Sequence, residues 1–360
     1  MREAILLVGG KGTRLRPLTV NTPKPMLPAA GVPLLAHPLA RAREAGVTHV
    51  VLATSYRAEV FEEYFGDGAR VGLHLEYVTE EVPLGTGGAI RNVADRLTSG
   101  ADEPVLVFNG DILSGLDIAG LVDAHQQAGA EVTLHLTRVP DPRAFGLVPT
   151  GPSGEVTAFL EKPERPQDIV TDQINAGCYV FRRSAIDAIP AGRVVSVERE
   201  TFPGLLAAGA RLQGVVDSTY WLDLGTPAAY VRGSCDLVLG LAPSPAVPGS
   251  TGDALVLDGA RVAADAKLCG GTAIGAGAEI GPGVTADGSV ILDGAIVAEG
   301  ATVRGSVVGE GARIGAGAVL DGCVVGDGAD VGPGNELRHG VRVWCDARLP
   351  AGAVRFSSDE

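Results

Sequence analysis

The stretch Ala4-Ile5-Leu6-Leu7-Val8-Gly9-Gly10-Lys11-Gly12-Thr13-Arg14-Leu15-Arg16-Pro17 decides the reading of the first part of the chain. Its apolar run predicts a buried strand, and the glycines after it let backbone N–H groups approach a phosphate closely. A plain tight turn would have the same composition. The dinucleotide fingerprint Gly-x-Gly-x-x-Gly fails, because Leu15 stands where the third glycine belongs. A Walker A loop fails too, since Ile5 lies where its first glycine is needed. Downstream, Val50–Ala53, Leu73–Val78 and Val105–Phe108 have strand character. Val32–Ala45, Glu59–Phe65, Thr86–Leu97 and Ile118–Ala128 have helical patterns. That alternation predicts an α/β domain with a mostly parallel sheet, whose ligands sit at the carboxyl ends of the strands.

The 360 residues suffice for two domains at roughly 150 residues each. Composition changes near residue 245: residues 1–250 hold 28 glycines and residues 251–360 hold 23, with Trp344 and Phe356 the only aromatics of the second part. The joint, Leu241-Ala-Pro-Ser-Pro-Ala-Val-Pro-Gly249, is a Pro-rich linker. The expected division is therefore 1–240, a 241–250 linker, and 251–360. In the last part apolar residues recur every six positions, at Val256, Val262, Leu268, Ile274 and Ile280. Further runs start at Ile291, Val308 and Val325, with the frame slipping by one residue at each break. A step of six fits no helix period. It fits a parallel β-helix in which each hexad is one short face and the apolar residue points inward.

The net charge of −14 argues against nucleic acid or an anionic membrane as partner. The charge is uneven, however: residues 1–30 carry +4 and the rest −18, which suggests a local anion pocket. No apolar run is long enough for a membrane helix or signal peptide, and the five cysteines show no Cys-x-x-Cys. A soluble protein of the reducing cytoplasm is expected.

Only four lysines accompany 25 arginines, yet three of the four occupy loops: Gly-Gly-Lys11-Gly, Thr-Pro-Lys24-Pro and Leu-Glu-Lys162-Pro. Lysine is a compact point charge and guanidinium a broad fork, so retained lysines suggest crowded phosphates. Asp111 ends the run Val105-Leu-Val-Phe-Asn109-Gly110-Asp111, and Asp223 precedes a Gly/Pro turn. Two carboxylates plus phosphate oxygens suit Mg²⁺; each Asp alone would equally suit a turn or cap.

These segments occur in a fixed order: Leu7-Val8-Gly9-Gly10-x-Gly12-Thr13-Arg14-Leu15-Arg16-Pro17, Pro23-Lys24-Pro25-Met26-Leu27-Pro28, Pro83-Leu84-Gly85-Thr86-Gly87-Gly88, Asn109-Gly110-Asp111, Phe145-Gly146-Leu147-Val148, Glu161-Lys162-Pro163, Ile174-Asn175-Ala176-Gly177 and Asp223-Leu224-Gly225-Thr226-Pro227. In this they resemble the sugar-1-phosphate nucleotidylyltransferases, and most of all the mannose-1-phosphate guanylyltransferases with a hexapeptide tail. The resemblance implies a Rossmann-like nucleotidyltransferase domain followed by a left-handed parallel β-helix. It implies transfer of GMP from GTP to mannose 1-phosphate with Mg²⁺ as cofactor. Arg14 and Lys24 would hold the triphosphate, Lys162 the sugar phosphate, and Asp111 and Asp223 the metal. Gly146, Glu161 and Asn175 would meet sugar hydroxyls; Gly9, Gly10, Gly12, Thr13, Gly85 and Asn109 would line the nucleotide. A homo-oligomer is expected through the exposed end coil.

Family members that use pyrimidine nucleotides carry Gln five residues before the loop glycine; here that position is Glu80. A carboxylate only accepts hydrogen bonds, which matches guanine N1–H and N2–H₂. A glucose-1-phosphate thymidylyl- or uridylyltransferase is the alternative. An acyltransferase acting through the tail would need a base there, and His339 is the tail's one histidine. A non-catalytic regulatory homologue would be expected to lose the phosphate and metal residues that this chain keeps.

Overall fold

The structure is a computed structural model that describes residues 2–55, 57–162 and 165–355. Pro163 of the Glu-Lys-Pro motif, Phe356 and the side chain of Glu161 fall outside the described set. Contacts divide the chain into two compact units. The first comprises Met1–Gly10 and Pro38–Trp221, and the second Lys11–His37 and Leu222–Glu360. The second unit therefore gathers the signature loop from Lys11 onward, the segment from Leu222 and the repeats, a grouping that chain order does not suggest.

In the first unit, β1 (Arg2–Leu7), β2 (Val47–Thr54), β3 (His74–Thr79) and β4 (Pro104–Asn109) are parallel and lie in the order β4-β1-β2-β3. Each agrees with an expected strand to within a few residues at its ends. Val, Ile and Leu fill β1, β2 and β4 because both faces of a parallel sheet are covered; Ile5, Val51 and Val107 are fully buried in one cluster. The sheet is extended by antiparallel strands, β5 (Val132–Arg138) and the long β6 (Gln173–Arg182), with β7 (Leu212–Val216) parallel to β5.

The helices α1 (Ala36–Glu44), α2 (Glu59–Phe65), α3 (Gly85–Asn92) and α4 (Ile118–Ala128) follow the periodic segments. Helix α4 starts at an Asp117 carboxylate that accepts from Gly120 N and stops at Gly129 in the left-handed region. Two expected helices are shorter than their patterns. The one over Val32–Ala45 begins only at Ala36, because Pro28–Ala29 and Val32–Pro33 pair as a hairpin across Ala30-Gly31, both at positive φ. The one over Thr86–Leu97 ends at Asn92 and tightens into a 3₁₀ turn at Ala94–Arg96.

The tail of the second unit is three parallel sheets of two- or three-residue strands, the arrangement of a left-handed parallel β-helix. Successive coils set Ala273 beside Val290, then Val307, then Val324. Each of those steps is 17 residues rather than three hexads, so the omitted residue is the frame slip visible in the sequence. The short corner holds a buried column of Thr272, Ser289, Ser306 and Cys323. The Thr272, Ser289 and Ser306 hydroxyls accept from the backbone N–H one coil on, at 3.2, 3.2 and 2.9 Å. Ile274, Ile291, Val308 and Val325 stack inside. Val256 and Val262, expected to be enclosed, are instead 46% and 36% exposed, because the first coil has a neighbouring coil on one side only. Helix α5 (Pro227–Val238) starts at Thr226, whose hydroxyl caps Ala229 N. No helix among the described residues is long and apolar enough to cross a membrane.

Candidate active site

The first unit sets several of the expected residues at the carboxyl ends of its parallel strands. Gly9 and Gly10 follow β1, Glu80 follows β3, and Asn109 ends β4. Gly110 N bonds to Leu7 O at 2.9 Å, which ties the turn carrying half-buried Asp111 to the end of β1. Gly10 adopts φ 110, and its N–H reaches Ser55 Oγ at 3.4 Å. Ser55 was not singled out from the sequence; its signal is a hydroxyl just past the end of β2.

Glu80 Oε2 accepts from Leu84 N at 3.2 Å, while Oε1 is buried with no hydrogen-bond partner among the described residues. Burial raises the Glu80 carboxyl above its ordinary range, against the Leu84 bond that lowers it. A buried acceptor of this kind is costly unless a donor arrives.

A second group gathers at the start of β6. Gly146 pairs with Glu161, Leu147 with Ile174, and Lys162 N bonds to Phe145 O at 3.2 Å. Lys162 is exposed and takes φ 46. Beta-strand register shifts between Asn175 and Tyr179, a bulge of the sort that re-aims side chains. Asn175 Oδ1 accepts from Gly177 N at 3.1 Å and its Nδ2 donates to Tyr179 OH at 2.8 Å, leaving one N–H and one lone pair for a ligand. Gly177 is required: a Cβ there would lie 2.7 Å from Asn109 Nδ2. Trp221 braces the bulge through Nε1 to Ala176 O at 2.9 Å and stacks edge-on against Phe145. Its role is not legible from spacing.

The second unit brings Gly12, Arg14, Lys24 and Asp223 together. Gly12, at φ 57, packs so closely that a Cβ would lie 3.0 Å from Thr19 Cγ2 and 3.1 Å from Lys24 Cβ. Thr19 Oγ1 donates to Gly12 O at 2.8 Å and closes the loop. Lys24 is 8% exposed, with Nζ 3.6 Å from Asp223 Oδ1. A Cβ on Gly225 would lie 2.7 Å from Arg14 Nη2 and 3.1 Å from Asp223 Oδ1, so glycine leaves room for that pair. Arg14 and Thr13 are exposed in the 3₁₀ turn Thr13–Leu15.

One further cluster arises from sheet register. His49 and His74 are paired neighbours on β2 and β3, and with Glu76 their ligand atoms lie within 4.8 Å of one another. His49 bridges Glu3 and Glu76 at 2.8 and 3.1 Å, and Arg96 stands 3.6 Å from Glu76. Arg96 already sets a cation against Glu76, within a hydrogen-bonded network that ties β1, β2 and β3 together.

Two families match the chain: Nucleotidyl transferase over residues 3–238, and GMPPB C-terminal domain over residues 250–343. The mannose-1-phosphate guanylyltransferase of Mycobacterium tuberculosis is 60% identical over 99% of this chain and 98% of its own length. The mannose-1-phosphate guanylyltransferase catalytic subunit beta of Drosophila melanogaster is 36% identical over 72% of this chain and 70% of its own. Among solved structures, HddC from Yersinia pseudotuberculosis complexed with GMP-PN is 26% identical with a TM-score of 0.56, covering 65% of this chain and 98% of that one.

Proposed function

The chain belongs to the nucleotidyl transferase family, and from that premise we propose that it transfers GMP from GTP to mannose 1-phosphate, releasing pyrophosphate and giving GDP-mannose. The observation that carries this reading is the near full-length likeness to the Mycobacterium tuberculosis guanylyltransferase. The buried acceptor of Glu80 adds a reason for guanine over the other bases.

The chemistry needs no protein nucleophile. An oxygen of mannose 1-phosphate attacks the α-phosphorus of GTP in line, the new P–O bond forms, and the bond to pyrophosphate breaks. Catalysis is then positioning and charge neutralisation. Arg14 and Lys24 hold the triphosphate, and Lys162 the sugar phosphate. Gly9, Gly10, Gly12, Thr13, Gly85 and Asn109 line the nucleotide; Gly146, Glu161 and Asn175 meet the sugar hydroxyls.

Asp111 and Asp223 are the proposed Mg²⁺ ligands. Carboxylate oxygens are the hard donors that Mg²⁺ takes, and Asp223 already holds a cation, the Lys24 ammonium, against its Oδ1. When bound, the ion offsets charge on the phosphates. Lys24, paired here with Asp223, would hold a phosphate oxygen of the bound triphosphate.

We assign catalysis to residues 1–240, a linker to 241–250, and support and assembly to the 251–360 tail. A homo-oligomer through the open first coil, where Val256 and Val262 are exposed, fits that assignment; the mass in solution tests it. A cytoplasmic setting fits five cysteines that form no disulfide.

Pyrophosphate release with Mg²⁺, measured for each nucleoside triphosphate against a panel of sugar 1-phosphates, tests the whole reading. GTP with mannose 1-phosphate should be the best pair. Faster release with dTTP or UTP and glucose 1-phosphate would replace it by the pyrimidine alternative.

A further inference from the structure

The loop Pro83–Gly88 opens helix α3 and is held from a segment more than a hundred residues further along the chain. Val195 N donates to Leu84 O at 2.9 Å, and Val195 O accepts from Gly87 N and Gly88 N at 2.8 and 3.2 Å. The approach is too close for side chains: a Cβ on Gly85 would lie 2.7 Å from Val195 O, and one on Gly88 would lie 2.9 Å from Arg193 O.

At the centre of this contact stands Glu198, half-buried and outside every sequence motif and every step of the mechanism above. Its Oε2 accepts from Thr86 Oγ1 at 2.8 Å and from Ser196 Oγ at 2.8 Å. Thr86 Oγ1 in turn accepts from Val197 N at 2.9 Å. The threonine hydroxyl has one proton, and the carboxylate takes it, so the hydroxyl's direction is fixed. Bonds to an ionised acceptor are the stronger kind. One carboxylate thus clamps the loop to the Val195–Val197 segment. The same loop holds Glu80 through Leu84 N.

We propose that Glu198 is a positioning residue for nucleotide selection, holding the Pro83–Gly88 loop, and through Leu84 the Glu80 carboxylate, where GTP meets them. It rests on the reading of Glu80 and Gly85 as nucleotide-binding. Glu198 touches no substrate; it acts through Thr86.

Steady-state kinetics on the full-length protein test it. Glu198→Ala should raise KM for GTP about tenfold or more, the scale of losing charge-assisted bonds, with KM for mannose 1-phosphate changed by less than about twofold. Glu198→Gln keeps an accepting oxygen and should recover most of the loss. Thr86→Val should match Glu198→Ala, and the double variant should be no worse than either single one, since both remove one link. An unchanged KM for GTP, a parallel rise in both KM values, or a Gln variant as poor as the Ala variant would each overturn the proposal. Glu80→Ala separates the two readings. If Glu80→Ala leaves GTP use intact, the nucleotide assignment of the loop fails. If it impairs GTP use and Glu198→Ala does not, only the positioning role falls.

Discussion

The Arg342 guanidinium donates a 2.7 Å hydrogen bond to the carbonyl oxygen of Arg16, 326 residues away in the chain. Cys345 Sγ lies 3.7 Å from the next carbonyl, that of Pro17. Beneath these contacts Leu15, Leu18 and Leu27 share a buried cluster with Tyr230 of helix α5 and with Val290, Val307 and Val324 of the repeat. The loop that carries Arg14 and Lys24 is therefore seated on the tail, which gives the repeat a direct part in placing the proposed phosphate ligands.

Leu18 is 1% exposed in that cluster. Leu18→Ala should cost about 2–5 kcal/mol of stability, the range for a buried leucine. Arg342→Ala, at an exposed hydrogen bond, should cost under about 1 kcal/mol while raising KM for GTP a few-fold. Urea unfolding and GTP kinetics measure the two. A stability-neutral Leu18→Ala would show that the loop does not depend on the tail.

Asp223 and Lys24 form an ion pair, which the proposed binding of GTP and Mg²⁺ would rearrange. Asp111→Asn and Asp223→Asn keep shape and remove charge. Each should lower turnover by roughly 10²–10³, the scale for losing one strong transition-state stabiliser. Asp223→Asn should also raise the Mg²⁺ concentration needed for half-maximal rate. Near-normal rates at matched Mg²⁺ would remove the residue from the metal site.

Lys24 is nearly buried, with Gly12 pressed against its Cβ. Arginine should not fit: Lys24→Arg is expected to reduce kcat/KM for GTP by at least about tenfold, since a planar fork replaces a compact ammonium. Lys162 is exposed, so Lys162→Arg should fold normally and act mainly on KM for mannose 1-phosphate. Lys267, in the repeat, should accept arginine without effect.

The parallel sheet, helices α1 to α4 and the coil of the tail were legible because each has a period: strand runs, helical spacing and a step of six. What the sequence hid lay in contacts between distant segments. Residues 11–37 pack with the repeat because Leu15 and Leu18 have their apolar partners there, and no local period reports that. The candidate phosphate and metal residues stood out by residue type in glycine- and proline-rich loops. Ser55, Trp221 and Glu198 did not, because each acts by bracing a neighbour, and a brace has no fixed spacing. An exposed end coil was expected, but that it leaves Val256 and Val262 uncovered was not legible for a related reason: their hexad pattern is identical to that of enclosed residues.

Burial holds His37, His125 and His135 neutral, each lowered to about 4 from an ordinary value near 6.5. Between those values the unfolded chain binds protons that the folded chain refuses, so stability is full above about pH 6.5 and falls as pH drops toward 4. The slope is about 1.4 kcal/mol per pH unit for each histidine that titrates only when unfolded. Unfolding curves from pH 7.5 to 4.5 should show this, and His125→Gln should flatten the slope by about one proton. Glu3, held at about 2 by bonds from Ser99, His49 and Thr98 that outweigh its burial, adds a separate loss only as pH falls from about 4.5 toward 2. A stability curve flat from pH 7 to 5 would contradict the histidine assignment.

Glu80 presents one oxygen to Leu84 N and keeps the other buried without a partner among the described residues. If that oxygen accepts from guanine, ITP, which lacks the 2-amino group, should be used roughly ten- to a hundredfold less well than GTP, the value of a hydrogen bond to a charged acceptor. Glu80→Gln can still satisfy Leu84 N with its carbonyl, but then turns an N–H₂ toward the guanine donors. GTP use should fall by a similar factor, and the margin over UTP and dTTP should narrow, because an amide both donates and accepts. Acid should mimic the substitution: burial raises the Glu80 carboxyl, and its protonation removes the acceptor, so kcat/KM for GTP should fall at a higher pH than an ordinary glutamate would impose. In Glu80→Gln that limb of the pH profile should disappear. Glu81 is exposed one residue further on, and Glu81→Gln should change neither the base preference nor the profile. Equal use of GTP and ITP by the parent protein would take Glu80 out of base recognition.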